Sequence, residues 1–188
     1  MRLLLAGASG GIGGALSRVA RAAGHEVVEV GRAEFADPRL MERFDGFFDA
    51  VVFAVGTCPV KPLTLCSDEE LTGTFTVNCV YFARLMRHLL SRRLYSPQGM
   101  KALAVSSVSA VEGWAGGSAY CASKGALSAL CRALDAELSP RGISVEAIEP
   151  RYVKTRMFDS CAGRMGVSPD LAQAPEDLAS EILAKLER

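Results

Sequence analysis

Short apolar runs alternate along the chain with stretches whose apolar residues recur at helical spacing. Arg2 to Ala6 reads RLLLA, a short run of the kind that forms a strand buried on both faces. Glycines follow, and from about Ile12 to Ala23 the residues Ile12, Leu16, Val19 and Ala20 fall on one helical face. Gly24 and His25 stop that helix, and Glu26 to Val30 reads as a second strand. Asp49 to Val55 is a third clear strand, and a long helical pattern covers about Ser67 to Leu94, with a break placed near Gly73. Lys101 to Ser106 reads as a strand, Ser118 to Leu138 as a helix and Ser144 to Ile148 as a strand. An amphipathic helix from about Pro175 to Leu186 opens on proline and acidic residues.

Strands spaced by helices imply parallel βαβ units. The expected fold is α/β: a Rossmann-like, doubly wound parallel sheet of about six strands between two helical layers. No repeat, linker or low-complexity tract divides the chain, so residues 1–188 are expected to form one domain. In such sheets ligands lie beyond the carboxyl ends of the strands, which directs attention to Gly7–Gly13, Gly56, Ser106–Ser109 and the segment after Pro150.

Composition narrows the function classes. With 49% apolar and 22% charged residues the chain has the makeup of a globular domain, not of a disordered one. Its 21 basic residues balance 21 acidic ones, so it lacks the basic surplus that nucleic acids or anionic membranes call for. No apolar run approaches the roughly 18 residues of a membrane span, and Met1-Arg2 opens straight into the glycine turn rather than into a signal sequence. A cytoplasmic protein is expected. The six cysteines show no metal-ligand spacing and the two histidines, His25 and His88, stand far apart, so no metal is expected and the thiols read as free, small apolar residues.

The first strand feeds Gly7-Ala8-Ser9-Gly10-Gly11-Ile12-Gly13, in which Gly7, Gly11 and Gly13 follow a GxxxGxG spacing. Between a strand and a helix such a turn lets the backbone approach a pyrophosphate, whose charge rests on the helix N-terminus. At the end of the second strand Val30 is followed by Gly31 and Arg32, and an arginine there suits a 2′-phosphate. NADP(H) is therefore the preferred dinucleotide, with NAD(H) left open by Glu29 and Glu34 nearby.

Further on, Tyr120 and Lys124 stand at i and i+4 on one helix, so both project from the same face. A phenol with a pKa near ~10 is a poor acid at neutral pH, and an adjacent ammonium is expected to lower it into a usable range. Thirteen residues earlier lie Ser106 and Ser107, at a strand end. Asn78, the single asparagine, falls inside the long helical pattern, where asparagine is a mediocre former and marks an irregularity or a functional hydrogen bond.

Taken together these residues resemble the short-chain dehydrogenase/reductase family over about residues 1 to 158. The glycine turn matches Gly7, Gly11 and Gly13, the active-site serine Ser107, and the YxASK motif Tyr120-Cys121-Ala122-Ser123-Lys124; the asparagine is Asn78 and the Pro-Gly-x-Val-x-Thr segment runs from Pro150 to Thr155. The resemblance implies an NADPH-dependent reduction of a ketone or 3-oxoacyl carbonyl, with a small molecule or a carrier-bound acyl group as substrate. Tyr120 would act as general acid, Ser107 would hold the carbonyl oxygen, Lys124 would depress the Tyr120 pKa and hold a ribose, and Asn78 would anchor a water. Ser9, Ile12, Arg32, Asp37, Gly56, Pro150, Val153 and Thr155 would complete the cofactor site, Asp37 as the acid after a third strand. The alternative is a catalytically idle NADP(H)-binding regulator.

The resemblance also implies departures. The family's Asn-Asn-Ala-Gly reads Phe53-Ala54-Val55-Gly56, and the glycine after Pro150 is Arg151. Only sixteen residues separate Arg32 from Asp49, enough for a reduced third strand near Phe35 and a short helix near Pro38 to Phe44. With no room for a final strand, a homodimer through the helices near 75–92 and 118–138 is expected.

Overall fold

The computed structural model describes the backbone of all 188 residues and every side chain except those of Arg32, Ala36, Pro38, Leu40 and Met41. Five strands form one parallel sheet in the order β2-β1-β3-β4-β5: β1 (Arg2–Ala6), β2 (Glu26–Val30), β3 (Ala50–Phe53), β4 (Met100–Val105) and β5 (Ile143–Ile148). The doubly wound expectation holds, and the strand count falls one short. Around Phe35 the chain forms the five-residue helix α2 (Arg32–Ala36), followed by a 3₁₀ segment at Pro38–Arg43. The reason is tertiary: as part of α2, Phe35 is buried, stacked on Tyr81 at 4.8 Å and edge-on to Phe53. Its apolar payload goes into the core under the sheet edge rather than along it.

Alternation along the strands builds two cores. Leu3 and Leu5 of β1, with Ala50 and Val52 of β3, face one layer, where they meet Leu16 and Ala20 of α1 (Gly11–Ala22) and Leu178 and Ile182 of α7 (Pro175–Glu187). Leu4, Ala6, Val51 and Phe53 face the other, against Phe82, Leu85 and Leu89 of α4 (Tyr81–Ser91) and Leu127 of α5 (Ser118–Leu138). Burial on both faces is why these strands read as continuous apolar runs.

The long helical pattern is broken at another place than Gly73. Ser67 and Glu70 form a reciprocal capping box at the start of α3 (Asp68–Phe75), and the chain passes through Gly73 as regular helix. The interruption is a π-helical turn at Thr76–Val80 that carries Asn78, after which α4 resumes. Wide turns of this kind concentrate at functional sites. One further helix, α6 (Arg156–Met165), lies in the segment beyond β5 and opens on Thr155, whose Oγ1 accepts the Phe158 N–H at 3.2 Å.

Candidate active site

The reversal of strand order, with β2 on one side of β1 and β3 on the other, places a crevice above the carboxyl end of β1. The glycine turn fills its floor. Gly7 adopts φ +96°, and a Cβ there would lie 2.8 Å from the Ala54 carbonyl carbon. A Cβ on Gly13 would lie 2.2 Å from the Gly7 carbonyl oxygen, and one on Gly11 2.5 Å from the Thr155 methyl. Gly7 and Gly13 are therefore required by backbone proximity, and Gly11 by the packed Thr155 side chain, before any ligand is considered. Above the turn runs a cleft of about 1080 Å³, open to solvent and walled by Gly7, Ser9, Gly11, Ile12, Gly31, Gly56 and Thr155 among others. A backbone cradle that a Cβ would fill, at a helix N-terminus, fits a dinucleotide pyrophosphate.

The cleft continues at Ile12, Gly56 and Thr155 into a second, narrower pocket lined by Ser107, Tyr120, Lys124, Pro150 and Val153 among others. Three separate elements deliver these residues. Ser107 follows β4, and its Oγ caps the next turn by accepting the Ser109 N–H at 3.1 Å. Tyr120 and Lys124 descend from the first turns of α5, and Pro150 and Val153 follow β5. The Val108 N–H donates to Pro150 O at 3.2 Å, tying the serine loop to the proline loop.

Lys124 is buried, with Nζ donating to Val105 O at 2.7 Å and lying 5.8 Å from the Tyr120 ring centre. Burial lowers its pKa to about 8. Tyr120 moves the opposite way from the expectation. Burial, with the thiols of Cys58, Cys161 and Cys121 adding to it, raises the phenol above its ordinary value, and a hydrogen bond with Ser107 only partly opposes this. The physical reason is that desolvation penalises both charged forms: it raises an acid and lowers a base in the same pocket.

Asn78 is fully buried and entirely used by the protein. Its Oδ1 accepts the Thr57 N–H at 2.8 Å, and its Nδ2 donates to Thr57 O at 2.9 Å and to Ser123 Oγ at 2.8 Å. It thus joins the π-turn, the loop after β3 and α5, immediately behind Gly56, where an added Cβ would come 3.5 Å from Oδ1 and 3.7 Å from Lys124 Nζ. The Phe53-to-Gly56 segment is well anchored: Phe53 is buried against Phe35 and Phe82, and the Ala54 N–H donates to Ala6 O at 2.8 Å.

Of three further positions, only Asp37 ends differently from the expectation. The side chain of Arg32 lies outside the described residues. Asp37 follows helix α2 instead of a strand, so it is not delivered to a strand end; its carboxylate is spent on Arg39 at 3.1 Å, which also holds it below the usual carboxylate range. Arg151, where the family has a glycine, is exposed at the edge of the pocket and pairs with the exposed Glu112 at 3.0 Å. Sequence reasoning raised Glu34 only for the choice of dinucleotide and missed its structural role, accepting from Gly31 N–H and Arg43 at the end of β2; it also missed the pairing of the pocket thiols Cys58 and Cys161. The spacing Gly31 to Glu34 is a helix-start signal that could have located the first; no sequence signal brings Cys58 and Cys161 together.

Among the described residues no group of His, Cys, Asp and Glu forms a metal site, all six cysteines are free, and no helix is long and apolar enough to cross a membrane.

Comparison with known proteins agrees with this geometry. Residues 32–176 match the family described as enoyl-(acyl carrier protein) reductase. The chain is 32% identical to the short-chain reductase protein NovJ of Streptomyces niveus over 80% of its own length and 56% of that protein's. It is 25% identical to the 3-oxoacyl-[acyl-carrier-protein] reductase FabG of Rickettsia felis, over 95% of this chain and 88% of FabG. The crystal structure of a short-chain dehydrogenase from Streptomyces avermitilis superposes over 100% of this chain and 84% of that one, with TM-score 0.79 and 26% identity. With the glycine cradle, the Ser107–Tyr120–Lys124 pocket and these relatives in agreement, the chain belongs to the short-chain dehydrogenase/reductase family of oxidoreductases.

Proposed function

We propose that the protein reduces the carbonyl of a small ketone or 3-oxoacyl compound to an alcohol, using NADP(H) in preference to NAD(H). The observation that carries this reading is the junction at Gly56. There the glycine cleft opens directly onto a pocket holding a phenol, a hydroxyl and an ammonium. A nicotinamide dinucleotide, when bound, supplies the hydride.

The chain's own residues do the rest. The turn Gly7–Gly13 offers backbone N–H groups to the pyrophosphate. Thr155, Val153 and Pro150 border the path from cleft to pocket. Ser107 donates a hydrogen bond to the substrate oxygen and orients it. Tyr120 delivers a proton to that same oxygen; its burial in the apolar pocket works against this, and the hydrogen bond from Ser107 works for it. Lys124, with a pKa near 8, exchanges its proton with solvent in the working range and holds the ribose that enters beside it. Asn78 acts through position: it fixes the Thr57 loop and α5 relative to each other.

The NADP(H) preference is supported by Arg32 and by Arg43, whose guanidinium donates to Glu29 O and Glu34 at the end of β2. A homodimer is supported by Phe75 and Val80, half-exposed at either end of the π-turn. FabG, named for reducing a carrier-bound 3-oxoacyl group, supports an acyl substrate as one candidate.

The test is nicotinamide oxidation with NADPH and NADH against ketones, quinones and 3-oxoacyl thioesters. Turnover is expected with NADPH ahead of NADH. If no carbonyl compound is reduced with either dinucleotide, the proposal fails.

A further inference from the structure

The wall of the substrate pocket is made of sulfur and aromatic rings. Cys58 arrives on the loop after β3, Trp114 on the loop after β4, Tyr152 after β5, and Met157, Cys161 and Met165 from α6. The two thiols are hydrogen-bonded to each other, and burial pushes Cys58 up to about 12, so this part of the wall stays neutral. Trp114 is locked: its Nε1 donates to Ser109 Oγ at 3.2 Å, and its ring lies so close over Gly117 that a Cβ there would sit 2.5 Å from it. The α6 side is fixed to the Cys58 loop by Arg164, whose Nη1 donates to Val60 O at 2.6 Å. The wall is therefore preformed, polarisable and uncharged, a surface that favours a flat aromatic ring.

Charge is accounted for as well. Two cationic side chains line the pocket. The buried one, Lys124, donates to Val105 O; the other, Arg151, is exposed at the rim, where it pairs with the equally exposed Glu112. A substrate carboxylate set against the uncharged wall would shed its water there, and besides Lys124 the lining offers it only the solvent-screened Arg151 at the rim.

We propose that this pocket selects a neutral aromatic carbonyl compound, its ring against the sulfur-rich wall and its oxygen at Tyr120 and Ser107, over oxo acids and aliphatic 3-oxoacyl thioesters. This rests on the reading of the site as a carbonyl reductase, and the experiment separates the two.

Three probes suffice: acetophenone, 4-acetylbenzoate, which is the same ring with a carboxylate, and the N-acetylcysteamine thioester of 3-oxobutanoate. Acetophenone is expected to exceed each of the others at least about tenfold in kcat/KM. Equal or better turnover of 4-acetylbenzoate or of the thioester overturns the inference while leaving the reductase reading intact. Trp114 is the single tryptophan in the chain, so its fluorescence reports pocket occupancy without turnover. With oxidised dinucleotide present, acetophenone is expected to perturb it at a lower concentration than 4-acetylbenzoate. That result, with no turnover of these probes or of the wider carbonyl panel with either dinucleotide, sustains the substrate class and sinks the reductase reading; the reverse order of binding sinks the substrate class. In Glu112→Gln, which frees Arg151, the ratio of 4-acetylbenzoate to acetophenone activity is expected to rise about fivefold. An unchanged ratio removes the charge argument.

Discussion

The glycine cleft and the substrate pocket adjoin at Gly56 and are built on opposite principles. The cleft is made largely of backbone: a Cβ on Gly7 or Gly13 would come within 2.2–2.8 Å of the main chain and one on Gly11 within 2.5 Å of the Thr155 methyl, so little else can stand there. The pocket is made of side chains from five places in the chain, and its wall residues Cys58, Trp114, Met157 and Cys161 meet only because their loops are fastened together. A backbone site constrains residue type at fixed spacing; a side-chain site constrains only the sum of what several loops present. The first is therefore readable from one sequence, and the second is not.

That contrast can be broken at several points. The largest expected effect is chemical: Tyr120→Phe should lower kcat by a factor of about 10²–10⁴, or about 3–5 kcal/mol, with dinucleotide affinity retained in a fluorescence titration. Full activity in this variant would remove Tyr120 from the proton path.

Next comes the cleft. Gly13→Ala drives a methyl into the Gly7 carbonyl and should cost about 2–4 kcal/mol of stability in denaturant unfolding, together with dinucleotide binding. Gly73→Ala is the counterpart: nothing lies within 4 Å, the site is regular α3, and the change should stabilise by up to about 1 kcal/mol. Similar losses at both positions would show that glycine in this chain is not governed by backbone proximity.

Lys124 tests burial through pH. Its folded pKa, about 8, lies below the ordinary 10.5, so between these values the unfolded chain binds more protons and wild-type stability rises with pH. The contribution is complete above the ordinary value and is lost as pH falls through about 8. Wild type minus Lys124→Met should therefore grow by up to about 3 kcal/mol over that window, read from unfolding curves at matched ionic strength. A flat difference would mean that Lys124 is better solvated than its position implies.

The smallest effect concerns the seam between the two regions. Asn78→Ala leaves the Thr57 N–H and C=O without their partner and should cost about 2 kcal/mol, with activity falling further than stability alone explains. A loss of stability with unchanged kcat/KM would confine Asn78 to a scaffold role.

Much of the fold was legible. Strands buried on both faces announce themselves as apolar runs, and Ser118–Leu138 was read to the residue because its helical period is uninterrupted. Asn78 was legible as an irregularity because asparagine competes poorly for a helix interior, and the π-turn is that irregularity. The segment 31–49 was misread near Phe35. Its aromatic residue has strand character locally, and the rings of Tyr81 and Phe53 that recruit it into α2 lie far away in sequence. Asp37 was misplaced for the same reason, since its assignment assumed a strand before it.

What the sequence alone determined about this protein is the parallel α/β architecture and the glycine turn, which depend on short-range periodicity and on a residue type with few substitutes. The set Asn78, Ser107, Tyr120 and Lys124 came from the family resemblance, and its roles stand as the proposal above. Tertiary structure decided the rest: the five-stranded sheet, the helix at Phe35, the thiol pair, the Arg151–Glu112 bridge and the raised pKa of Tyr120. Burial and charge pairing are properties of a three-dimensional neighbourhood, and these residues acquire their chemistry only when distant loops close around them.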